Sequence, residues 1–253
     1  MTQHEHTIGA TARSFQIIEA LQQLDGAGVA ELARHLDMPN STVHDYLQTL
    51  TELRYLIKED DEYHIGARFL ELGGYVRDRM KLYHVAEPEI KKLAETTGEH
   101  ANLMIEEHGH GIFLEKSKGK DAVQLDTYEG MRVHLHTTAL GKAILANLPD
   151  ERVEEIIEEH GLPGITPNTI TDEAELRDEL VTIRDRGYAI DDEERVEGMR
   201  CIAAPICDSA GYPLGATSIS GPVSRLEGET FTEEIPKQVL STANVIEVNM
   251  TYS

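Results

Sequence analysis

Three short amphipathic segments, each followed by a tight turn, fill the first fifty residues and constrain the fold most. Residues 13–24, RSFQIIEALQQL, predict a first helix whose apolar side chains are Phe15, Ile17, Ile18, Leu21 and Leu24. Gly26 and Gly28 end that helix, and VAELARHL repeats the apolar spacing at Val29, Leu32, Ala33 and Leu36. Two such short helices bury little surface alone, so they must pack against further elements of the chain.

A third helix and a pair of strands supply those elements. Pro39 ends the turn at residues 37–40, and Asn40 or Ser41 is the expected N-cap of the next helix. Its buried stripe is Val43, Leu47 and Leu50, helped by Tyr46. Two short strands follow in YLIKEDDEYHI, where Tyr55 and Ile57 alternate in the first strand and Tyr63 and Ile65 in the second. Three helices and a two-stranded wing predict a winged helix-turn-helix.

The rest of the chain predicts an α+β domain behind a helical connector. Residues 67–97 are expected to form two helices that end at Gly98, with possible breaks at Gly73-Gly74 and at Pro88. Strands are expected in ANLMIEE, GIFLEK, AVQLDTY, VHLH, YAIDD, MRCIAAPICD and LGATSISG. Helices are expected from Thr137 or Thr138 to Leu148, and over residues 150–159, 172–186 and 232–250.

Composition narrows the class and points to an unusual solvent. The chain has 253 residues, a hydrophobic fraction of 40% and a formal net charge of −23, so it can fold around a sizeable core. Its 46 Asp and Glu residues are spread over the whole length, with 13 in residues 1–80 and 33 in the rest. We interpret this uniform, lysine-poor acidity as adaptation to a concentrated-salt, halophilic cytosol; an ordinary acidic protein is the alternative.

Other features of the composition exclude several classes. No apolar run approaches the roughly 20 residues of a membrane-spanning helix, and MTQHEHTIGATARSF does not match a secretory signal. The two cysteines, Cys201 and Cys207, lie six residues apart in an apolar segment, which favours reduced thiols over a disulfide framework. We therefore expect a cytoplasmic protein without membrane association.

Three long segments resemble the IclR family of transcriptional regulators, and together they span nearly the whole chain. They are RSFQIIEALQ followed by VAELARHLDMPNSTVHDYLQTLTELRYLIKEDDEYHIGARFLELG, then HLHTTALGKAILANL, then GYAIDDEERVEGMRCIAAPICDSAGYPLGATSISGP. The resemblance implies a winged helix-turn-helix at residues 1–66, a helical dimerisation linker at 67–82 and an effector-binding domain at 83–253. That last domain is expected to be GAF/PAS-like, with an antiparallel sheet flanked by helices. The family implies a homodimer or a dimer of dimers, a double-stranded DNA operator, no cofactor and no catalysis.

The third helix carries the side chains that we expect to contact DNA. Ser41 and Thr42, at its N-terminus, can bind phosphate, and His44, Gln48 and Thr49 lie where short polar side chains read bases. Arg13, Lys58 and His64 are candidate phosphate contacts. Asp45 departs from the basic residue common at this position in IclR-like sequences. It could accept from cytosine N4, hold His44 or Lys58, or belong to the general acidity.

An acidic chain binding a polyanion requires a special arrangement. At molar salt the Debye length is about 3 Å, so only close contacts matter. We hypothesise that hydroxyl, amide and helix-dipole contacts carry the docking, with cations bridging some carboxylates to phosphates. DNA affinity would then hold steady or rise with salt, unlike that of basic proteins.

The resemblance also implies the effector contacts. They are the backbone N–H groups of Ala139 and Leu140, together with the side chains of Asp191, Cys201, Ser218 and Ser220. The family responds to small organic, sugar or aromatic acids. The two serines are two residues apart on one strand and so face the same side. Because Asp191 accepts hydrogen bonds from hydroxyls, a sugar or sugar acid fits better than a plain keto acid.

Two alternatives of another class remain open. His108 and His110, and His134 and His136, have spacings that could place imidazoles on one strand face for a metal-responsive sensor. Cys201 with a nearby histidine could serve a redox sensor or a small-molecule enzyme. No third metal ligand stands at a fixed offset, and an apolar strand surrounds Cys201. We therefore expect no metal and no catalytic residue.

Overall fold

A computed structural model describes residues 8–252. The interpretation of the N-terminal stretch rests partly on residues 1–7, which lie outside the described residues. The described residues divide into two compact units, with the division between Val76 and Arg77, and the two units are described separately below. None of the helices within residues 8–252 has the length and apolar character needed to cross a membrane.

The first unit is the predicted winged helix-turn-helix. It contains α1 (Gly9–Gln23), α2 (Val29–His35), α3 (Asn40–Glu52), β1 (Leu56–Glu59) and β2 (Glu62–Ile65). The two strands pair antiparallel, with Leu56 opposite Ile65. The core includes Ile17, Leu21, Leu32, Val43, Leu47, Leu50, Leu56 and Tyr63. These residues recur at helical spacing on each helix, so burial of the three stripes holds the unit together.

Three local predictions for this unit are wrong. Phe15 is 56% exposed, and the stripe of α1 runs instead through Ile17, Ala20 and Leu21. In the wing, Leu56 is 2% exposed and Ile57 is 45% exposed, so the first strand has the opposite phase to the predicted one. Pro39, with extended backbone (φ −61°, ψ 138°), is the N-cap of α3, and no side chain caps the helix because the proline ring carries no hydrogen-bond acceptor.

The connector does form two helices, but the break is elsewhere. Helix α4 spans Arg68–Asp78 and α5 spans Lys81–Thr97, so the chain breaks at residues 79–80. Gly73-Gly74 lies inside α4 and Pro88 inside α5, contrary to expectation. Gly98 ends α5 in the left-handed conformation (φ 76°), as predicted. The role of residues 67–82 in dimerisation stays a prediction.

The second unit is built on one six-stranded antiparallel sheet with strand order β5-β4-β3-β8-β7-β6. Its strands are β3 (His100–Glu107), β4 (His110–Lys118), β5 (Arg132–His134), β6 (Ala189–Asp192), β7 (Met199–Cys207) and β8 (Pro213–Pro222). Its further helices are α6 (Ala139–Leu145), α7 (Asp150–His160), α8 (Glu173–Arg186) and α9 (Ile235–Tyr252). This α+β architecture, an antiparallel sheet flanked by helices, confirms the predicted fold class.

The two faces of the sheet bury separate cores. Ile202 and Ala204 of β7 lie in the core shared with α5 and α9. Cys201 and Ala203, the alternate residues of the same strand, lie in the core shared with α6, α7 and α8. Both faces are covered, which explains why β7 reads as a nearly continuous apolar run.

Two predicted details differ around the second face. The segment AVQLDTY (122–128) is not a strand; it runs irregularly between β4 and β5, where its backbone is tied by side chains instead. His100 Nε2 lies 2.6 Å from the Val123 carbonyl oxygen, and Lys116 Nζ donates to the Thr127 carbonyl at 2.7 Å. Thr138 caps α6 as predicted by accepting from the Gly141 N–H at 2.9 Å. The helix ends at Leu145 and not at Leu148.

Candidate functional site

One face of α3 packs into the core of the first unit, and the opposite face is polar. Val43, Leu47 and Leu50 are buried. Ser41, His44, Gln48 and Thr49 are exposed, and Thr42 is half-buried. All five predicted residues of α3 therefore lie outside the buried stripe. Their contact with DNA stays a prediction.

Local hydrogen bonds limit what some of these side chains can offer. The Thr49 hydroxyl donates to the Asp45 carbonyl oxygen at 2.8 Å, and the Gln48 amide donates to Glu52 Oε1 at 3.1 Å. Asp45 is 82% exposed and its carboxylate lies 3.7 Å from His44 Nδ1. This separation is longer than a hydrogen bond and both side chains are largely exposed, so the role of Asp45 stays a prediction.

The three predicted phosphate contacts differ in exposure. Arg13 is exposed on α1. Lys58 on β1 is also exposed, with its Nζ 5.4 Å from the centre of the Tyr63 ring. His64 is half-buried: its ring lies so close over Gly26 that an added Cβ would come within 2.1 Å, and its Nε2 lies 3.8 Å from Glu62. His64 therefore packs against its own unit.

The second unit contains a small cavity of about 40 Å³ over the end of its sheet. Strands, the start of α6, the irregular segment before β5 and the loop between β6 and β7 enclose it. The apolar lining is Phe113, Leu125, Leu140, Val196 and Met199, and the polar lining is Asn102, Thr127, Thr138, Asp191, Arg195, Arg200, Cys201 and Ser220. A cavity lined both by apolar side chains and by converging polar groups is typical of a small-molecule site.

Strand register places the polar groups of this cavity side by side. Cys201 of β7 pairs with Asp191 on one side and with Ser220 on the other. The Ser220 hydroxyl donates to Cys201 Sγ at 3.0 Å, and the Asn102 amide donates to the hydroxyl oxygens of Ser218 and Ser220 at 3.1 and 3.2 Å. Residues from four strands thus form one connected polar floor.

Most of the predicted effector residues converge here. Leu140, Asp191, Cys201 and Ser220 line the cavity, whereas Ala139 and Ser218 are wholly buried and do not. Sequence reasoning missed Asn102, Arg195 and Arg200. Asn102 is a polar residue in an otherwise apolar strand segment, which is a signal that could have found it. Nothing in the local sequence distinguishes Arg195 from a surface arginine.

A buried ionic cluster lies next to the lining of the cavity. Lys142 of α6 is 1% exposed and its Nζ forms an ion pair with Glu194 Oε1 in the loop after β6. Asp191 Oδ1 accepts from the Glu194 N–H at 2.7 Å. Burial, together with the charge of Glu194, raises the pKa of Asp191 to about 7. Burial also raises the pKa of the Glu194 carboxyl, and Lys142 offsets part of that effect.

The cysteine alternative is disfavoured by its surroundings. Burial, reinforced by the negative charge of Asp191, raises the pKa of the Cys201 thiol to about 12. Burial raises the pKa of Cys207 to about 11. Reactive cysteines have lowered pKa values, so neither thiol is activated as a nucleophile or redox sensor.

The histidines come closer together than their sequence spacing indicated. The ring centres of His110 and His134 are 5.4 Å apart, those of His134 and His136 are 5.8 Å apart, and the His160 ring lies 4.3 Å from that of His110. The carbonyl of His108 lies 2.9 Å from His160 Nε2. Across residues 8–252, no three His, Cys, Asp or Glu side chains are grouped so that they could hold a metal ion. The metal-sensor alternative gains no support from this geometry.

A winged helix-turn-helix followed by a sheet domain with a polar cavity defines a class, that of helix-turn-helix transcriptional regulators. Comparison with known proteins is more specific. The family model for the IclR helix-turn-helix domain matches residues 10–60, and the model for the bacterial transcriptional regulator IclR C-terminal domain matches residues 75–248. The chain belongs to the IclR family of DNA-binding transcriptional regulators.

Individual relatives agree over most of the chain. The "Probable HTH-type transcriptional regulator ArcR" of Halobacterium salinarum is 37% identical over 249 residues, which cover 96% of this chain and 94% of that protein. The crystal structure of the Thermotoga maritima IclR has 31% identity and a TM-score of 0.76, covering 97% of this chain and 100% of the other. An IclR homologue from Microbacterium hydrocarbonoxydans, solved in complex with 4-hydroxybenzoate, has 26% identity and a TM-score of 0.74, covering 90% and 92%.

Proposed function

We propose that this chain is a cytoplasmic, homodimeric regulator whose operator binding is tuned by a small hydroxylated organic acid held in the cavity of the second unit. The supporting observation is convergence: the family resemblance implies Leu140, Asp191, Cys201 and Ser220 as effector contacts, and all four line one cavity. Binding there would shift the population of DNA-competent states by its differential affinity for them.

The cavity favours a particular size and chemistry. A cavity of about 40 Å³ favours a small ligand over a large one. Asp191, with a pKa of about 7, is available at neutral pH both as a carboxylate that accepts from a hydroxyl and as an acid that donates to a carboxylate. A hydroxy acid of two to four carbons suits these groups, and a six-carbon sugar acid or 4-hydroxybenzoate would require the cavity to expand.

The DNA-binding part of the proposal rests on the polar face of α3. Ser41, Thr42, His44, Gln48 and Thr49 would enter the major groove, with Arg13 and Lys58 against phosphates. The net charge of −23, and the ArcR relative from Halobacterium, support a halophilic setting for this contact. Pairing of two chains through residues 67–82 would then match a two-fold-related operator.

Two experiments test the two halves separately. Isothermal titration of the full chain in molar KCl with glycolate, lactate, glycerate and gluconate should give binding for the small acids and none for gluconate. Ser220→Ala should weaken it, and Ser241→Ala, at an exposed position on α9, should not. Absence of binding by every small acid would contradict the effector assignment.

The DNA half is tested by selection from a random duplex library. The purified protein should enrich a two-fold-related motif, and Gln48→Ala should relax the preference at one position of each half-site. A folded protein that enriches no motif, with or without the small acids, would contradict the operator assignment.

A further inference from the structure

We propose that Arg195 selects an anionic effector, and that the carboxylate of the effector replaces Asp126 as the partner of its guanidinium. This inference rests on the proposed function, because it concerns the same cavity. It assigns the acid preference to a residue that neither sequence spacing nor family resemblance indicated.

The contacts of Arg195 leave most of its donors without a strong acceptor. The side chain lies in the loop between β6 and β7, is 14% exposed and lines the cavity. Among the residues that the structure describes, its guanidinium hydrogen-bonds to the Met131 thioether sulfur at 3.7 Å and lies 6.0 Å from the Phe113 ring centre. A guanidinium has five N–H donors and a thioether is a weak acceptor. A largely buried guanidinium in such surroundings is suited to a bidentate carboxylate.

Asp126 has the geometry of a partner that can be displaced. Its Oδ1 lies 3.6 Å from Arg195 Nη2, an ion pair that is longer than a hydrogen bond. The Asp126 side chain is 69% exposed, so leaving Arg195 returns it to water at little cost. It belongs to the irregular segment before β5, whose Leu125 and Thr127 also line the cavity. Exchange at Arg195 therefore loosens one wall of the cavity as the effector enters.

Other arginines of the second unit donate to carboxylates at ordinary hydrogen-bond distances. Arg152 donates to Glu106 at 2.8 Å and to Glu155 at 3.0 Å, and Arg200, the other arginine at the cavity, donates to Asp192 at 2.6 Å. Arg195 is therefore the cavity arginine with capacity for a new carboxylate. The buried Lys142–Glu194 pair holds the preceding residue of the loop, which keeps Arg195 over the cavity.

The test compares an acid with its uncharged analogue. Isothermal titration in molar KCl is carried out with lactate and lactamide, and with glycolate and glycolamide, on the full-length wild type and on variants. Arg195→Gln should lower the affinity for the acids by about ten- to a hundredfold, because a charge-assisted hydrogen bond is lost. It should change the affinity for the amides by less than about threefold. Arg195→Lys, which keeps the charge but not the fork, should recover part of the loss. Asp126→Asn should raise the affinity for the acids several-fold, because the carboxylate that competes for Arg195 is removed.

A matched surface pair controls for general charge effects. Arg184 Nη2 lies 3.2 Å from Asp150 Oδ1, and the two side chains are 43% and 71% exposed. Neither residue lines the cavity. Arg184→Gln and Asp150→Asn should leave the binding of acids and amides unchanged. Equal losses for acid and amide in Arg195→Gln, or weaker acid binding in Asp126→Asn, would overturn this inference and leave the proposed function standing. Failure of the wild type to bind any of the acids would overturn both.

Discussion

The carboxyl group of Asp191 makes stability depend on pH at the scale of one residue. Its pKa is raised, chiefly by burial, from 3.8 to about 7. Between those values the folded state holds a proton that the unfolded state has lost, so this group costs stability progressively as pH rises through that window. Asp191→Asn removes the cost, and its stability advantage over the wild type should grow by about 2 kcal/mol between pH 5 and pH 8. Urea unfolding of the second unit at both pH values, in molar KCl, measures it.

The comparison needs a carboxylate of the same type outside the cluster. Asp185 is exposed on α8, and Asp185→Asn should show the same pH dependence as the wild type. If Asp191→Asn also keeps the wild-type dependence, then Asp191 is not the group that titrates in this window.

The buried pair of Lys142 and Glu194 is a second prediction at this scale. Lys142→Met leaves Glu194, which is nearly as buried, without its cation. The Oε2 atom of Glu194 already has no hydrogen-bond partner among the residues described. Breaking a buried ion pair from one side costs about 3–5 kcal/mol, whereas replacing both partners by apolar groups costs much less. Urea unfolding should therefore show a large loss for Lys142→Met and a smaller one for Lys142→Met with Glu194→Leu.

The surface pair of Lys237 and Glu233, 3.0 Å apart and largely exposed, is the control. Lys237→Met should change the free energy of unfolding by no more than about 1 kcal/mol. A double variant less stable than Lys142→Met alone would mean that Glu194 is held by something other than the lysine.

The seating of α6 is a prediction at the scale of an element. This helix begins at the cavity. Gly141 in its first turn lies against the 3₁₀ turn Leu135–Thr137, where an added Cβ would meet the Leu135 carbonyl oxygen at 2.1 Å. Backbone cannot move aside as a flexible side chain can, so Gly141→Ala should shift α6, destabilise the second unit by about 2 kcal/mol or more and weaken binding of the small acids. Gly73→Ala in α4, where an added Cβ meets nothing within 4 Å, should stabilise by about 0.5–1 kcal/mol. Thermal unfolding of both variants checks the contrast, and equal effects would contradict it.

Elements also show where sequence reasoning stops. Helix stripes such as Val43, Leu47 and Leu50 are predictable because the helical period alone places them on one face. The wing strand is only four residues long, so its pattern fits either phase, and the choice of Leu56 over Ile57 depends on the helices beneath. Gly73-Gly74 signals a break that α4 does not have, because local propensity only biases a helix.

The cavity residues also fall into two groups, those that the sequence indicates and those that only the fold brings together. The family resemblance implies Asp191, Cys201 and Ser220 as effector contacts. They are adjacent only because β6, β7 and β8 are neighbours in the sheet. Asn102 and Arg195 reach the same space from a distant strand and from a loop. Their roles follow from strand order and loop path, which are long-range properties that no spacing within one segment encodes.

At the scale of the whole molecule, acidity governs how DNA can be approached. The chain carries 46 acidic and 23 basic side chains, and the wing tip, EDDE at residues 59–62, is itself acidic. In dilute salt these charges repel phosphate over a long range. At molar salt the Debye length of about 3 Å confines the repulsion to direct contacts, and we expect the hydroxyl and amide groups of α3 then to decide the affinity.

The dependence of DNA affinity on salt is therefore the property that most directly tests the proposed adaptation to concentrated salt. A basic protein making 6–10 phosphate contacts loses about 10³–10⁵ in affinity between 50 and 200 mM salt. For this chain we expect the affinity for a selected motif to stay level or rise from about 0.1 M to molar KCl, measured by fluorescence anisotropy with a labelled duplex. Neutralising the wing with Asp60→Asn and Asp61→Asn should raise affinity in dilute salt and converge with the wild type at molar salt, because only the screened repulsion has changed. A steep fall of wild-type affinity with salt would mean that Arg13, Lys58 and other cations carry the docking as in ordinary regulators, and that the acidity serves solubility alone.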